Sequence, residues 1–192
     1  WGMSKLKKLD LGNNPTLECV FLKNVNVEDD TIFENLKEVN VSKCKNLRVI
    51  DIEQAGEKFT ELDLSSNDKL NSLGLEGLRG LKQLKMPETD NLKELVVKET
   101  ALESLDIEKY TKLDKVCVGG NQFNTLKINM EQKTEKDIEN MYLLFDNNLK
   151  VDFISSKNGI VPNIKRLDNH DLWAGIVFSN YVVTDYEIPE CW

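Results

Sequence analysis

The sequence predicts a solenoid: short parallel β-strands stacked into a right-handed coil, closed at the C-terminal end by a helix and a small β-rich segment. Three observations carry this expectation. A unit of three hydrophobic residues, spaced L-x-x-L-x-L, begins at Leu6, Leu17, Leu36, Leu47, Phe59, Leu70, Leu81, Leu92, Leu102, Leu113 and Phe123. Successive starts are 10 to 12 residues apart, except for one step of 19 after Leu17 that holds "KNVNVEDDTIFEN" and reads as a loop insertion. Near residue 130 the pattern gives way to another.

A helix cannot use this unit. At about 100° per residue its first and sixth positions fall on nearly opposite faces, and no continuous apolar stripe forms. A strand uses part of it, because the fourth and sixth positions point to the same side. The first position then follows a bend that turns its side chain inward as well. Units this short have no core of their own, so stacking must bury them.

Two classes of unit alternate. One reads "LKKLDLGNNPTL", "LKEVNVSKCKNL", "FTELDLSSNDKL", "LKQLKMPETDNL" and "LESLDIEKYTKL"; the other reads "LECVFLKNVNV", "LRVIDIEQAGEKF", "LNSLGLEGLRGL", "LKELVVKETAL" and "LDKVCVGGNQF". The true repeat is therefore a pair, one turn of a two-sided coil. Five turns at ~4.8 Å each give a stack of about 25 Å.

Over residues 4 to 130 the chain resembles the leucine-rich-repeat family, in the 21- to 23-residue form of internalin-like bacterial surface proteins. "LDKVCVGGNQF" is similar to that family's L-x-x-L-x-(L/C)-x-x-N-x-L, with Asn121 at the asparagine position. The chain departs from the pattern at Val25, Ala55, Leu78 and Thr100, where Asn is expected. The other class carries Asn14, Cys44, Asn67 and Thr89 at its comparable place. That second column is expected to satisfy buried backbone groups at the bends.

From residue 131 onward a cap is expected. "TEKDIENMYLLF" offers a Thr134 cap with Asp137 three residues on, then Ile138, Met141, Tyr142 and Phe145 at helical spacing. "LKVDFIS" alternates like a strand, and "WAGIVFSNYVVTDYEI" reads as one or two more. The chain begins at Trp1 with little ahead of Leu6, so it is expected to be trimmed from a longer protein.

Composition excludes several functions. With 33 acidic against 25 basic residues the net charge is -8, the wrong sign for a phosphate-backbone partner, so no nucleic acid is expected. No stretch approaches the ~18 apolar residues of a membrane span. Cys19, Cys44, Cys117 and Cys191 lack C-x-x-C spacing and read as free thiols, most of them packed within the repeats, rather than as two disulfides. No cofactor or metal is expected. His170, between Asp168 and Asp171, is the only histidine and reads as a loop residue rather than a base or ligand. "NVEDDT" and "FDNN" offer oxygen ligands without calcium-loop spacing. "VGGN" lacks the rest of a phosphate loop, and its glycines fit a tight turn. "GIVFSN" is not a nucleophile elbow. Cys117 beside Lys115 reads as structural rather than as an activated thiol.

With no reaction in view, the chain is expected to be a non-enzymatic recognition module. A stacked face is already ordered, so little entropy is lost on docking. The resemblance implies that the second class lines the binding face, through outward residues Glu18, Phe21, Arg48, Asp51, Glu53, Asn71, Glu76, Lys93, Val96, Lys98, Asp114 and Cys117. The column Phe21, Asp51, Gly74, Val96, Cys117 is less polar than Asp10, Asn40, Asp63, Lys85, Asp106, as a contact patch requires. The partner expected is a protein, or else a glycan, met by a monomer outside a bacterial cell or on its surface. The alternatives are a spacer within a larger surface protein and, third, an enzyme with its site in residues 131 to 192.

Overall fold

In the computed structural model, which describes residues 3–23, 33–156, 160 and 162–167, the chain is a parallel β-solenoid of about five turns with almost no helix. One side is a seven-stranded, all-parallel sheet built from β2 (Cys19–Leu22), β4 (Val49–Glu53), β6 (Ser72–Glu76), β8 (Glu94–Lys98), β9 (Lys115–Gly119), β11 (Tyr142–Asp146) and β13 (Ile164–Leu167), in that spatial order. The other side is broken into three parallel pairs: β1 (Lys8–Asp10) with β3 (Glu38–Asn40), β5 (Glu61–Asp63) with β7 (Gln83–Lys85), and β10 (Thr125–Asn129) with β12 (Lys150–Ile154). The two classes of sequence unit are thus the two sides of the coil.

Register puts the repeated hydrophobes in columns. Val20, Ile50, Leu73, Leu95, Val116 and Leu143 stand side by side across the large sheet, and Leu22, Ile52, Leu75, Val97, Val118 and Phe145 form the next inward column. All are buried in one continuous core, which the first position of each unit also joins (Leu36, Leu47, Phe59, Leu70, Leu81, Leu92, Leu102 and Leu113). Period-two alternation makes the inward columns, and stacking closes them over one another.

The bends are satisfied by the expected second column. The Cys44 thiol donates to the Leu11 carbonyl (3.1 Å), Asn67 Nδ2 donates to the Val41 and Cys44 carbonyls (3.0 and 3.1 Å), and the Thr89 hydroxyl donates to the Asp68 carbonyl (2.7 Å). Tyr110, fully buried one turn on, extends the column by donating to the Pro87 carbonyl (2.6 Å). Each side chain reaches the preceding turn, so these bonds clamp the stack along its axis. Asn121 donates to the Val97 carbonyl and accepts from the Thr100 N–H and hydroxyl. At the end of the large-sheet strands, Gln54, Gly77, Glu99 and Gly120 in four successive turns have φ of 55°, 68°, 50° and 66°. The turn demands the left-handed region, and glycine supplies it without strain at only two of the four.

The expected closing helix is corrected. The Thr134–Asp137 capping box forms, but α1 spans only Glu135–Glu139 and ends at the Asn140 cap. Tyr142 and Phe145, placed at helical spacing, belong instead to β11, which pairs with β9 and extends the large sheet. "YLLF" is a short apolar run, equally suited to a buried strand, and the vacant edge of β9 decides between the two. "LKVDFIS" forms β12 as expected, while β13 arises from "NIKRLD", which carries no strand alternation. The strands expected within "WAGIVFSNYVVTDYEI", together with His170, Val25 and "NVEDDT", lie outside the described residues.

Candidate functional site

The outward face of the large sheet is the candidate. Three columns line it: Cys19, Val49, Ser72, Glu94, Lys115 and Tyr142; then Phe21, Asp51, Gly74, Val96, Cys117 and Leu144; then Glu53, Glu76, Lys98 and Gly119. Just ahead of the strands, Glu18, Arg48, Asn71, Lys93 and Asp114 stack in a fourth column. The Arg48 N–H donates to the Glu18 carbonyl, Asn71 to Arg48, Lys93 to Asn71 and Asp114 to Lys93, all within 2.8 to 2.9 Å. Five of the residues expected on the binding face are thus brought into one stripe along the coil.

The remaining expected residues divide. Phe21 is 43% exposed, one of two large hydrophobic side chains so exposed among the described residues. Glu53 and Glu76 are half-buried. Asp51, Val96, Lys98 and Cys117 are corrected: they retain 5%, 7%, 0% and 3% of their surface and do not form an open contact strip. Strands β8, β9 and β11 bury both faces, Leu144 being fully enclosed beside Cys117. Their sequences carry the signal: "LVV", "VCV" and "YLLF" are unbroken apolar runs, whereas β4 and β6 place Asp51 and Gly74 between inward residues.

Charge on this face is paired. Lys23 Nζ lies 2.7 Å from Asp51 and 2.9 Å from Glu53; Lys98 lies 2.8 Å from Glu76, and Lys115 2.9 Å from Glu94. Burial pushes the Asp51 carboxyl above its ordinary value, and the Lys23 ammonium only partly offsets this. Gly74 makes room for that carboxylate: a Cβ there would meet Asp51 Oδ1 at 2.6 Å. Gly74 is therefore a seat for Asp51 rather than part of an apolar strip.

Two further groups of this face are held by their surroundings. Burial lifts the Cys117 thiol to about 12, so it stays protonated, and the neighbouring Lys115 is engaged by Glu94. The "FDNN" carboxylate is committed to the backbone: Asp146 accepts from the N–H groups of Gly120, Asn148 and Leu149. Among the described residues no three His, Cys, Asp or Glu side chains converge to hold a metal ion, and no helix is long and apolar enough to cross a membrane. What the face offers is a stripe of mixed charge, with the Arg48 guanidinium 3.8 Å from the Glu18 carboxylate and an aromatic ring at one end. Tyr110 and the enclosure of β8, β9 and β11 are what sequence reasoning missed here. A scan against protein-family models returns no match for this chain, and no curated protein matches it either.

Proposed function

We propose that this chain is a non-enzymatic recognition module that binds a protein partner through the stripe Glu18, Arg48, Asn71, Lys93 and Asp114, exposed at Lys93 and Asp114 and half-buried at the other three, together with Phe21. The observation that carries it is the 43% exposure of Phe21 on a continuous parallel sheet, three residues along the chain from the Glu18 that faces Arg48. Aromatic and arginine side chains anchor interfaces, and a rigid sheet presents them with little ordering cost. Asp51, Val96, Lys98 and Cys117 support this surface from beneath or beside it and make no contact of their own.

The finer family reading belongs here too. The L-x-x-L-x-L strands and the Asn121 bonds support a leucine-rich-repeat protein of the 21- to 23-residue type, and with it an extracellular or surface-displayed bacterial setting. The test is capture of partners from the source organism's surface and secreted proteins by cross-linking, followed by affinity measurement. Phe21→Ala combined with Arg48→Glu should weaken a specific complex about 30-fold or more, as loss of an interface anchor does. Lys8→Glu on the opposite side should leave it unchanged. Equal affinity for all three proteins would overturn the stripe, and the spacer reading would then stand.

A further inference from the structure

The outward side of the large sheet is enclosed at one end, and none of the described elements encloses it. Down the middle column Phe21 retains 43% of its surface, Asp51 5%, Val96 7%, Cys117 3% and Leu144 0%. Beside them Lys98 is fully buried and Glu94 nearly so. The other face of these strands already packs the core. Their flanks are taken by sheet neighbours: β8 lies between β6 and β9, β9 between β8 and β11, and β11 between β9 and β13. Strand pairing alone does not enclose an outward side chain, since Val49 in β4, flanked by β2 and β6, stays partly exposed. Among the described residues no helix or strand packs across the outward side of β8, β9 and β11. Another part of the chain must therefore lie over Val96, Cys117 and Leu144, as a parallel sheet apolar on both faces requires.

We infer that the C-terminal segment, residues 168–192, docks across the outward side of β8, β9 and β11 and occupies that part of the face. Three observations favour this occupant. Burial deepens from β2 toward β11, and the neighbour of β11 is β13, which ends at Leu167 where the segment begins. From β13 to β8 is three strand spacings, about 14 Å, and a segment of this length reaches up to about 80 Å when extended. Its stretch "LWAGIVFSNYVV", residues 172–183, is mostly apolar and suits a floor of Val96, Cys117 and Leu144. Residues 24–32, "NVNVEDDTI", follow β2 at the open end of the column and carry three acids in a row, so they suit that floor poorly. A partner that reaches Val96 or Leu144 must first displace the C-terminal segment. Phe21, Glu18 and Arg48 lie at the open end, so the partner stripe and this cover can each fail without the other.

The test uses the full chain with p-azidophenylalanine in place of Tyr142, an outward and half-buried aromatic on β11, or in place of Phe21. Photolysis at position 142 should cross-link within one molecule to residues 168–192, and photolysis at position 21 should not. A second arm follows Cys117 in the full chain carrying Cys19→Ser and Cys191→Ser. Its thiol should react slowly with N-ethylmaleimide. Trp173→Asp, Phe178→Asp and Val182→Asp together should speed that reaction about tenfold or more by lifting the cover. Cys44, enclosed in the core, should stay slow in both proteins and so reports that the coil remains folded. If Cys44 quickens as well, the cross-link decides. Cross-links from position 142 that avoid residues 168–192, or that join two molecules, would overturn the inference. An unchanged Cys117 rate in the triple variant, with Cys44 still slow, would overturn it too.

Discussion

At the scale of single residues, the coil is held by a few side chains whose surroundings leave little freedom. Asn67 is fully buried and bridges two carbonyls of the preceding turn. Asn67→Ala removes both bonds while each carbonyl keeps one backbone donor, the Cys44 and Leu47 N–H groups, and the loss should be about 1 to 2 kcal/mol in denaturant unfolding. Gln54 occupies a left-handed position that Gly77 and Gly120 fill without strain. Gln54→Gly should therefore stabilise the protein by about 0.5 to 1 kcal/mol, while Gly77→Ala should destabilise it by a similar amount, both read from the unfolding midpoint. Two carboxylates give opposite pH signatures. Asp51 has a raised folded-state pKa, so the folded state binds its proton more tightly. Its contribution is fully present below the unfolded value of 3.8 and is lost as the pH rises through the folded value. Asp63 is held down at about 2 by its hydrogen bonds from Ser65 and by Lys85, so its contribution is present above 3.8 and fades as the pH falls toward 2. Stability curves of Asp51→Asn and Asp63→Asn against pH should each lose the matching slope; because Asp63 is largely exposed, its effect stays below about 1 kcal/mol.

At the scale of elements, the large sheet changes character along the coil. Strands β2, β4 and β6 hold Phe21, Asp51 and Gly74 in their outward column, while β8, β9 and β11 hold Val96, Cys117 and Leu144. Val96→Asp should cost more than about 3 kcal/mol, because it buries an unpaired carboxylate, whereas Lys93→Asp, three residues away on an exposed position, should cost less than about 0.5 kcal/mol. Thermal unfolding of the two variants checks this. The inward columns were legible in the sequence because every turn repeats them, and repetition turns a weak signal into a strong one. The outward column is not, because its residues follow no repeat from turn to turn. The runs "LVV" and "VCV" fit the repeat's inward columns and also mark a second buried face. The Thr134 cap was legible for the same reason that α1 is short: a capping box starts a helix without setting its length, and the edge of β9 claims the next residues.

At the scale of the whole molecule, the two sides of the coil do different things. The large sheet is continuous from β2 to β13, and its side-chain columns are fixed by uninterrupted hydrogen bonding. The opposite side is three separate pairs, so its edges stay open between turns. Rigidity on one side suits a preformed contact stripe. The solenoid itself could be read from spacing alone, since no other architecture buries L-x-x-L-x-L every eleven residues. The binding surface could not, because outward positions carry no period and their exposure depends on what packs beside them. The most direct test of the central claim is the affinity of the captured protein partner for the wild type and for the charge-reversal series Arg48→Glu, Lys93→Glu and Glu18→Lys, each with a Phe21→Ala counterpart. The account predicts losses of about tenfold or more along the stripe, larger still with Phe21→Ala, and unchanged unfolding midpoints. Undiminished affinity across the series, in variants that remain folded, would contradict it.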